Sequence, residues 1–288
     1  MKRFAFALAL LVSADYVAHA PRAQAQEIEV TGPLAGAPAV IGLRVYREMR
    51  LQIQAHWTAT LTDEFTRTML AGGQLMFHPV DWLGVGVWGG FGVLNIDSTL
   101  TDEVTEKGQT NDLNVLSLPD AAEFPKQIGH IKWMASPQVA FIPLRGKLGV
   151  FESLFVDTDL YFMGGVAFVG LEERESVALS DCASPGATLT MKRQGCRSGL
   201  SRSSRSTLAP TFGVGLSMYF NDFLGLTLEW RGMPFAWNTS GTDESGAARG
   251  DYPDEVIDEN DRLAHFNHMF TIGFAFFVPT EPGRSFSD

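Results

Sequence analysis

The sequence predicts an all-β fold: an eight-stranded antiparallel up-and-down transmembrane β-barrel with short periplasmic turns and long extracellular loops. Eight segments alternate apolar and polar residues, and the connections between them alternate between short and long. After the first residues, no apolar run reaches the roughly 20 residues that a membrane-spanning helix needs. Because the bilayer core offers no hydrogen-bond partner to peptide groups, a membrane protein without such a helix must close its strands into a barrel.

The start of the chain predicts secretion. Residues 1–25 are typical of a cleaved signal peptide: Lys2 and Arg3 are basic, residues 4–14 are apolar, and Ala23-Gln24-Ala25 is a small-x-small cleavage site. The apolar run is too short to span a bilayer, and an uncleaved N-terminal anchor is the alternative interpretation. The net charge of −11 argues against a nucleic-acid partner, because like charges repel.

The eight predicted strands follow from a period of two. In the first strand, Leu51, Ile53 and Trp57 fall on one face, and Gln54 and His56 fall on the other. In a barrel the apolar face contacts lipid and the polar face lines the lumen. The predicted strands cover about 50–61, 68–77, 82–95, 131–143, 153–170, 207–220, 223–237 and 263–278.

The later strands repeat this pattern, with outward apolar residues at alternate positions. The third, fourth and fifth strands carry Val85, Val87 and Phe91, then Trp133, Val139 and Phe141, then Phe162, Val166 and Phe168. The sixth, seventh and eighth carry Phe212, Val214 and Leu216, then Leu224, Leu226 and Leu228, then Phe270, Ile272 and Phe274. Each predicted strand is long enough to supply the ~9–11 residues that a tilted strand needs to cross the bilayer core.

The connections predict the orientation of the barrel. Tight turns are predicted at 78–81, 144–148 and 221–222; long polar loops are predicted at 96–130, 172–206 and 238–262, with an intermediate connection at 62–67. Outer-membrane barrels have short periplasmic turns and longer external loops. The predicted location is therefore the cell outer membrane, as a multi-pass β-barrel with both termini in the periplasm.

The predicted barrel covers residues 49–279 and lies between two short segments. A periplasmic N-terminal arm covers 26–48, where a Gly-, Ala- and Pro-rich run favours neither helix nor strand. A periplasmic C-terminal tail covers 280–288. The last strand carries an outer-membrane assembly signature, a polar residue and a glycine followed by apolar positions: Thr271, Gly273, Phe276 and Val278.

The two cysteines of the chain predict one disulfide. Cys182 and Cys196 lie in a predicted external loop, where an oxidising compartment favours their pairing. A bond that closes a loop of this size contributes ~3 kcal/mol in the chain-entropy model. Two free thiols, or half of a metal site, are the alternative interpretations.

Polar residues on the inward faces predict a compensating charge network in the lumen. An eight-stranded barrel is only wide enough for its own side chains, which favours this interpretation over a pore lining or a buried acid–base set. The predicted members are Arg50, His56, Lys132, Asp159, Glu229, Arg231 and His265.

Patterns for catalysis or cofactor binding are weak in this chain. Residues 84–89 match a dinucleotide fingerprint, but they lie within a predicted strand and open no helix. His265 and His268 are three residues apart, so a strand directs them to opposite sides. The acidic residues of 243–261 are a candidate site for a divalent cation, and the basic residues of 192–205 are candidates for contact with lipid phosphates. The alternative, which their opposite charges favour, is that both loops are solvated and attract each other. No catalytic, cofactor-binding or metal-binding residue is predicted, and we expect no enzymatic activity.

Three short motifs resemble a group of myxobacterial (delta-proteobacterial) outer-membrane β-barrel proteins. They are the run 31–40, the turn Asp81-Trp82-Leu83-Gly84, and Gly146-Lys147-Leu148 ahead of Asp157 and Asp159. The resemblance covers about 30–278. It implies the same barrel without a particular activity, and it is consistent with a part in envelope machines such as gliding motility.

The combined patterns predict a structural or protein-interaction role in the cell envelope, as part of an envelope-spanning assembly. A narrow passive, porin-like channel is the alternative, and an outer-membrane hydrolase ranks below it. The expected partners are outer-membrane lipid or lipopolysaccharide, the barrel assembly machinery, and periplasmic or envelope-complex proteins. Nucleic acid and cofactors are not expected.

Overall fold

A closed barrel forms the centre of the structure, a computed structural model. The described residues are 45–61, 63–109, 115–118, 121–150, 154–182, 184–197, 201–248 and 251–281. The predicted signal peptide, residues 26–44 of the predicted arm and residues 282–288 of the predicted tail lie outside the described residues.

Eight strands form the ring, and every neighbouring pair is antiparallel. They are β1 (Arg50–Thr60), β2 (Thr66–Val80), β3 (Leu83–Asp97), β4 (His130–Val150), β5 (Leu154–Arg174), β7 (Arg202–Tyr219), β8 (Leu224–Trp237) and β10 (Leu263–Val278). Two short strands, β6 (Val177–Ala178) and β9 (Val256–Ile257), pair with each other outside the ring. Strand β10 pairs with β1 and closes the barrel, so the predicted eight-stranded antiparallel barrel is confirmed.

Strict alternation explains why β1 forms and which way it faces. Its inward residues are buried, whereas Ile53 and Trp57 remain 42% and 41% exposed on the outside. Outward positions of β2, β3, β4, β5, β7 and β10 are likewise apolar and exposed, whereas those of β8, such as Leu226 and Leu228, are apolar and half-buried. The exposed residues include Leu75, Phe77, Val85, Val87, Val139, Phe141, Phe162, Val166, Phe168, Phe212, Phe270, Ile272 and Phe274. An apolar belt around a barrel with a polar-containing interior is typical of a transmembrane barrel.

The two ends of the barrel differ in their connections. Short connections join β2–β3, β4–β5 and β7–β8 at one end, where β1 begins and β10 ends; we call this the turn end. Long connections lie at the loop end and contain helices that the sequence analysis did not predict. These are α1 (Thr99–Lys107), α2 (Phe124–Gln127), α3 (Leu179–Cys182) and α4 (Leu189–Arg197). No helix in the described segments is long and apolar enough to cross a membrane.

The turn predicted at 144–148 is wrong. Strand β4 continues through these residues to Val150, and they pair with β5 from Leu144 opposite Leu160 to Val150 opposite Leu154. The register places Arg145 opposite Asp159 and Lys147 opposite Asp157. Because the ladder continues, the Gly-Lys pair that is typical of a turn lies within a strand.

The strands also reach farther into the loop end than predicted. Strand β5 continues to Arg174, and β7 already begins at Arg202, although both residues fall within the predicted loop 172–206. The ladder between them runs without interruption to the pair Arg174 and Arg202. The β5–β7 hairpin therefore supports the loop residues that cover this end of the barrel.

Candidate functional site: the filled lumen and the loop cap

The middle of the lumen contains a buried ion pair on one strand. Glu229 and Arg231 are two residues apart on β8 and therefore face the same side. Arg231 donates to Glu229 Oε1 from Nη2 at 2.7 Å and from Nε at 3.1 Å. The other carboxylate oxygen accepts from the Tyr161 hydroxyl at 3.1 Å. Both oxygens of the buried carboxylate are thus satisfied, as a charge in a low-dielectric interior requires.

Contacts that involve aromatic rings connect this ion pair across the lumen to β1. The Arg231 guanidinium lies 4.3 Å from the centre of the Trp88 ring, a cation–π contact. Trp88 also stacks on His56, with the ring centres 5.0 Å apart and the planes 4° from parallel. Thr58 contacts His56 Nδ1 at 3.2 Å and the Thr271 hydroxyl at 2.7 Å. Side chains in contact therefore cross the barrel from one wall to the other.

A second ion pair lies at the turn end. Arg47, which precedes β1, pairs with Asp159 and donates to the Tyr219 hydroxyl, and its side chain is 2% exposed. The backbone N–H of Arg47 donates to Asp81 Oδ1 at 2.8 Å, and the Arg145 side chain binds the carbonyl of Asp81. The chain segment that enters the barrel thus fills the lumen at this end. Arg47 falls in the predicted arm, and its inward position was not predicted because a single residue before a strand has no periodicity.

Arg50 holds the first and last strands together at the same end. Its guanidinium donates to four backbone carbonyls, those of Pro279, Tyr46, Asp222 and Thr280, at 2.7–3.1 Å. The predicted network member Arg50 therefore binds backbone at the turn end and has no part in the Glu229 ion pair.

The prediction that Lys132 faces the lumen is wrong. Its side chain is 53% exposed and pairs with Glu172 on β5 at 2.6 Å. The β4–β5 ladder shifts register between Ile131 and Trp133, and this irregularity interrupts the alternation. Ile131 consequently takes the inward position and is 1% exposed.

His265 lies at the loop end, apart from the central ion pair. It lines a cavity of about 60 Å³ together with Asp63, Glu64, Thr239, Phe266 and Asn267. His268 has its ring 4.6 Å from that of Phe266 and 5.6 Å from that of Trp230. The predicted seven residues are therefore distributed over four places, and only His56, Glu229 and Arg231 share one set of contacts.

The assembly-signature residues alternate as a strand requires. Thr271 is buried in the lumen opposite Glu229, and Gly273 lies opposite Thr227 on the same face. Phe276 and Val278 point outward and are 38% and 42% exposed.

The loop half of the lumen contains an apolar cluster beside buried polar residues such as Thr60, Thr68 and Asn267. Twelve buried residues from the barrel strands pack into one cluster there. They are Leu70, Trp88, Ile131, Met134, Ala167, Val169, Leu171, Ala209, Met233, Phe235, Trp237 and Met269. In the polar half, one cavity beside Arg47, Gln74 and His78 has about 10 Å³, close to the minimum for a single water molecule. Described side chains thus occupy both halves of the lumen.

The loop-end connections fold into a cap that covers this end of the barrel. Its floor, the layer that contacts the barrel rim, is built around a buried carboxylate. Glu173, 3% exposed, accepts two hydrogen bonds from Arg205 at 2.8 and 2.9 Å and one from the Asn238 backbone N–H at 3.0 Å. Beside it, Arg174 donates to Gln127 Oε1 at 3.2 Å and to the Gly241 carbonyl at 3.0 Å. Loop residues from two different connections, β3–β4 and β8–β10, are thus held to the barrel rim.

The cap has its own apolar core around the disulfide. Cys182 and Cys196 are bonded, with Cα atoms 4.5 Å apart, as the sequence predicts. They pack with Val115, Leu116, Leu179 and Ile257. The β6–β9 pairing and a bond from the Leu179 N–H to the Glu255 carbonyl at 2.8 Å join two of the loops. The cap is therefore a cross-linked unit.

The acidic loop folds around two buried carboxylates. Asp261 accepts backbone N–H groups of Glu244, Ser245 and Asp258 at 2.7–2.9 Å. Asp243 accepts the Glu255 N–H at 2.8 Å. Burial raises the pKa of Asp243 to about 6 and also raises the pKa of Asp261. Within the described residues, no three His, Cys, Asp or Glu side chains are arranged to hold a metal ion.

Comparison with known proteins identifies no family. No family model matches the chain, and no curated protein matches its sequence. Similar solved structures include the N-terminal β-barrel domain of OprF from Pseudomonas aeruginosa, with 11% identity and a TM-score of 0.41 over 80% of this chain and 98% of that one.

Two further barrels give lower scores. The outer membrane protein OprG from Pseudomonas aeruginosa has 10% identity and a TM-score of 0.36, over 81% of this chain and 97% of its own. Ail, the attachment invasion locus protein of Yersinia pestis, has 8% identity and a TM-score of 0.32, over 80% and 99%. Since one fold hosts many functions, such distant likenesses carry no argument about activity.

Proposed function

We propose that this chain is an integral outer-membrane β-barrel that presents a folded cap on a sealed lumen, with a structural or protein-interaction role in the cell envelope. One observation carries the proposal. The described side chains fill the barrel from the Arg47–Asp159 pair at the turn end to the apolar cluster beneath the cap. A barrel packed in this way is suited to holding a surface in the membrane and poorly suited to passing solutes.

The location follows from the outward surface. Apolar residues surround the ring, and the short connections gather at one end, as in outer-membrane barrels. We place the turn end in the periplasm, so that both ends of the barrel chain lie there. Arg50, which binds the carbonyls of Pro279 and Thr280, supports the placement of both ends on one side.

The proposed partners are outer-membrane lipid or lipopolysaccharide, the barrel assembly machinery and periplasmic or envelope-complex proteins. The resemblance to myxobacterial barrels belongs to the same proposal. Its Gly146-Lys147-Leu148 motif lies on β4 opposite 156–158 of β5, in a hairpin that extends beyond the β3–β4 ladder at the turn end. A hairpin that projects from the turn end is positioned to meet a periplasmic protein.

Conductance in planar bilayers tests this proposal against the narrow channel. We expect purified, reconstituted protein to pass no steady ion current. The double variant Trp237→Ala with Met233→Ala, which removes two large side chains from the apolar cluster, is the matched control. It shows whether the measurement detects a lumen that has been opened. A steady current from the parent protein, proportional to the amount inserted, would favour the channel and contradict the sealed barrel.

Cross-linking in intact cells tests the interaction role. Photoreactive groups placed in the cap and, separately, on the projecting hairpin should capture defined envelope proteins at one of the two ends. Capture of lipid alone from both positions would reduce the proposal to a passive structural barrel.

A further inference from the structure

A cavity of about 60 Å³ lies at the loop end, where the ladder between β1 and β10 stops. The last strand pair of this ladder is Thr60 with Met269. One further bond follows, from the Leu61 N–H to the His268 carbonyl at 2.9 Å. The part of β10 before this point, 263–267, pairs with β8 on one side and faces the β1–β2 connection across the cavity on the other. The cavity therefore occupies the place that a longer β1 would fill.

The cavity connects the surface of the loop end with a buried carboxylate oxygen. Glu64 and Phe266 in its wall are exposed, whereas Asn267 is 2% exposed and Asp63 Oδ2 is buried. Its volume is several times the roughly 10–15 Å³ that one water molecule requires. The cavity is therefore large enough for a small ligand that enters from the loop end.

The buried oxygen of Asp63 indicates which charge the ligand carries. Asp63 Oδ2 has no hydrogen-bond partner among the described residues. Burial raises the pKa of Asp63 to about 6, and a hydrogen bond from Thr60 and the charge of Arg67 oppose this shift without cancelling it. At neutral pH the carboxylate is therefore an anion whose burial is incompletely compensated. Such a group favours a positively charged occupant, because an unpaired buried charge is costly.

The other groups in the wall add negative charge and hydrogen-bond acceptors. Glu64 is a second carboxylate, and no lysine or arginine is among the described residues that line the cavity. The Asn267 amide donates to the carbonyls of Met233 and His265 at 3.1 and 3.2 Å, which leaves its Oδ1 as an acceptor. The Thr239 hydroxyl and the imidazole of His265 in its neutral form can each accept another bond.

We propose that this cavity binds a small protonated primary amine. Its ammonium group donates to Asp63 Oδ2 and to the acceptors beside it, and its alkyl group lies at the mouth of the cavity beside Phe266. The three N–H donors of an ammonium group suit several acceptors at about 2.7–3.2 Å. The site itself is independent of the function proposed above, and only its opening to the cell exterior rests on the proposed orientation.

A metal ion is the competing cation. It needs its ligands at about 2.0–2.6 Å. The described His, Cys, Asp and Glu side chains are nowhere grouped in threes as a metal ion needs, which favours the more widely spaced contacts of an ammonium group.

Saturation-transfer NMR with propylammonium chloride tests the inference on the full chain, folded in detergent micelles. Tetramethylammonium is the matched control ligand, because it has the same charge and no N–H donor. Calcium ion, added in competition with propylammonium, is the metal probe. All titrations are made at one ionic strength, so that screening of charges is the same in each.

We expect propylammonium to bind saturably and tetramethylammonium to bind about tenfold more weakly or less, because hydrogen bonds to a charged group contribute at this level. Asp63→Asn should raise the Kd of propylammonium by about tenfold or more for the same reason. Asp97→Asn removes an exposed acid at the loop end of β3 that does not line the cavity, and it should leave the Kd unchanged. Heat-modifiable migration on gels checks that each variant is folded.

The pH dependence of the parent protein gives a measurement that needs no variant. Protonation of Asp63 removes the charge that holds the ligand, so binding should weaken about tenfold between about pH 7 and pH 5. Arg67 keeps its charge throughout this range. Glu64 and His265 also gain protons as the pH falls, so Glu64→Gln and His265→Gln should each preserve the dependence if Asp63 is its source.

Five results would each overturn the inference: no saturable binding, equal binding of tetramethylammonium, tighter binding of calcium than of propylammonium, an unchanged Kd in folded Asp63→Asn, or binding independent of pH. None of them bears on the outward apolar surface or the packed lumen, so the proposed function would stand.

Discussion

Glu229 and Arg231 form an ion pair at 2.7 Å in which neither side chain has any exposed surface. The pair lies between the Tyr161 hydroxyl on one side and the Trp88 ring on the other. The net contribution of the ion pair to the stability of the fold differs from the stability lost when one partner is removed. A buried pair gains little over a well-packed apolar substitute, whereas removal of one partner leaves the other charge without compensation.

Glu229→Ala should therefore destabilise the barrel strongly, by about 3–5 kcal/mol. Glu229→Gln should cost less, because its amide oxygen still accepts from Arg231 while its NH2 group donates to the Tyr161 hydroxyl oxygen. The matched control is Glu172→Ala, which removes the half-exposed pair with Lys132 and should cost ~1 kcal/mol or less. Denaturant unfolding of the reconstituted protein measures the difference. A Glu229→Ala variant as stable as the control would contradict a central role for this pair.

The approach of Tyr161 to Gly215 gives a second test of lumen packing. A Cβ at residue 215 would lie 2.2 Å from Tyr161 Cζ, far closer than van der Waals contact allows. Gly215→Ala should cost about 1–3 kcal/mol, the usual effect of overpacking. Gly146→Ala, where a Cβ meets nothing within 4 Å, is the matched control.

In a Tyr161→Leu background, which lacks the ring, Gly215→Ala should cost less stability than in the parent protein, and heat-modifiability on gels would detect the difference. Equal stability of Gly215→Ala and Gly146→Ala would mean that the lumen is looser than these contacts indicate.

Periodicity predicted the barrel because each strand contains its own signal. The alternation of Gln54, His56 and Thr58 with Ile53 and Trp57 fixes the two faces of β1 without reference to any other part of the chain. Inward residues on regular strands, such as Glu229 and Arg231, were identifiable for the same reason. Lys132 was misplaced because one irregularity in the β4–β5 ladder changes which positions face inward.

The cap could not be predicted in this way. Its floor joins Glu173 to Asn238, residues 65 positions apart, and its core joins segments from three connections. Such contacts depend on where the barrel brings the loops together, and no local pattern encodes that position. Only Cys182 and Cys196 indicate in the sequence that this loop is covalently restrained.

Removal of the disulfide should loosen the cap and leave the barrel intact. The bond joins residues 14 positions apart, and closing such a loop is worth ~3 kcal/mol in the chain-entropy model. Cys182→Ser with Cys196→Ser should therefore increase protease cleavage within the loop-end connections. Heat-modifiable migration of the barrel should persist and serves as the control for its folding. Unchanged cleavage would show that the apolar core and β6–β9 pairing hold the cap without the bond.

The buried acids of the last loop predict a cap that weakens as the pH rises. Burial raises the pKa of Asp243 from 3.8 to about 6 in the folded cap, so the folded state binds more protons than the unfolded state between about pH 4 and 6. Stability is therefore greatest below this window and falls as the pH rises through about 6.

Limited proteolysis across pH 5–8, normalised to cleavage of an unstructured peptide, measures the opening of the cap. Asp243→Asn removes the titrating group and should flatten the profile, whereas Asp251→Asn, an exposed acid of the same loop, should leave it unchanged. Because Asp261 also has a raised pKa, a shallow slope in the same direction should persist in Asp243→Asn. A cap that became more resistant to cleavage as the pH rose would contradict the burial of these carboxyl groups.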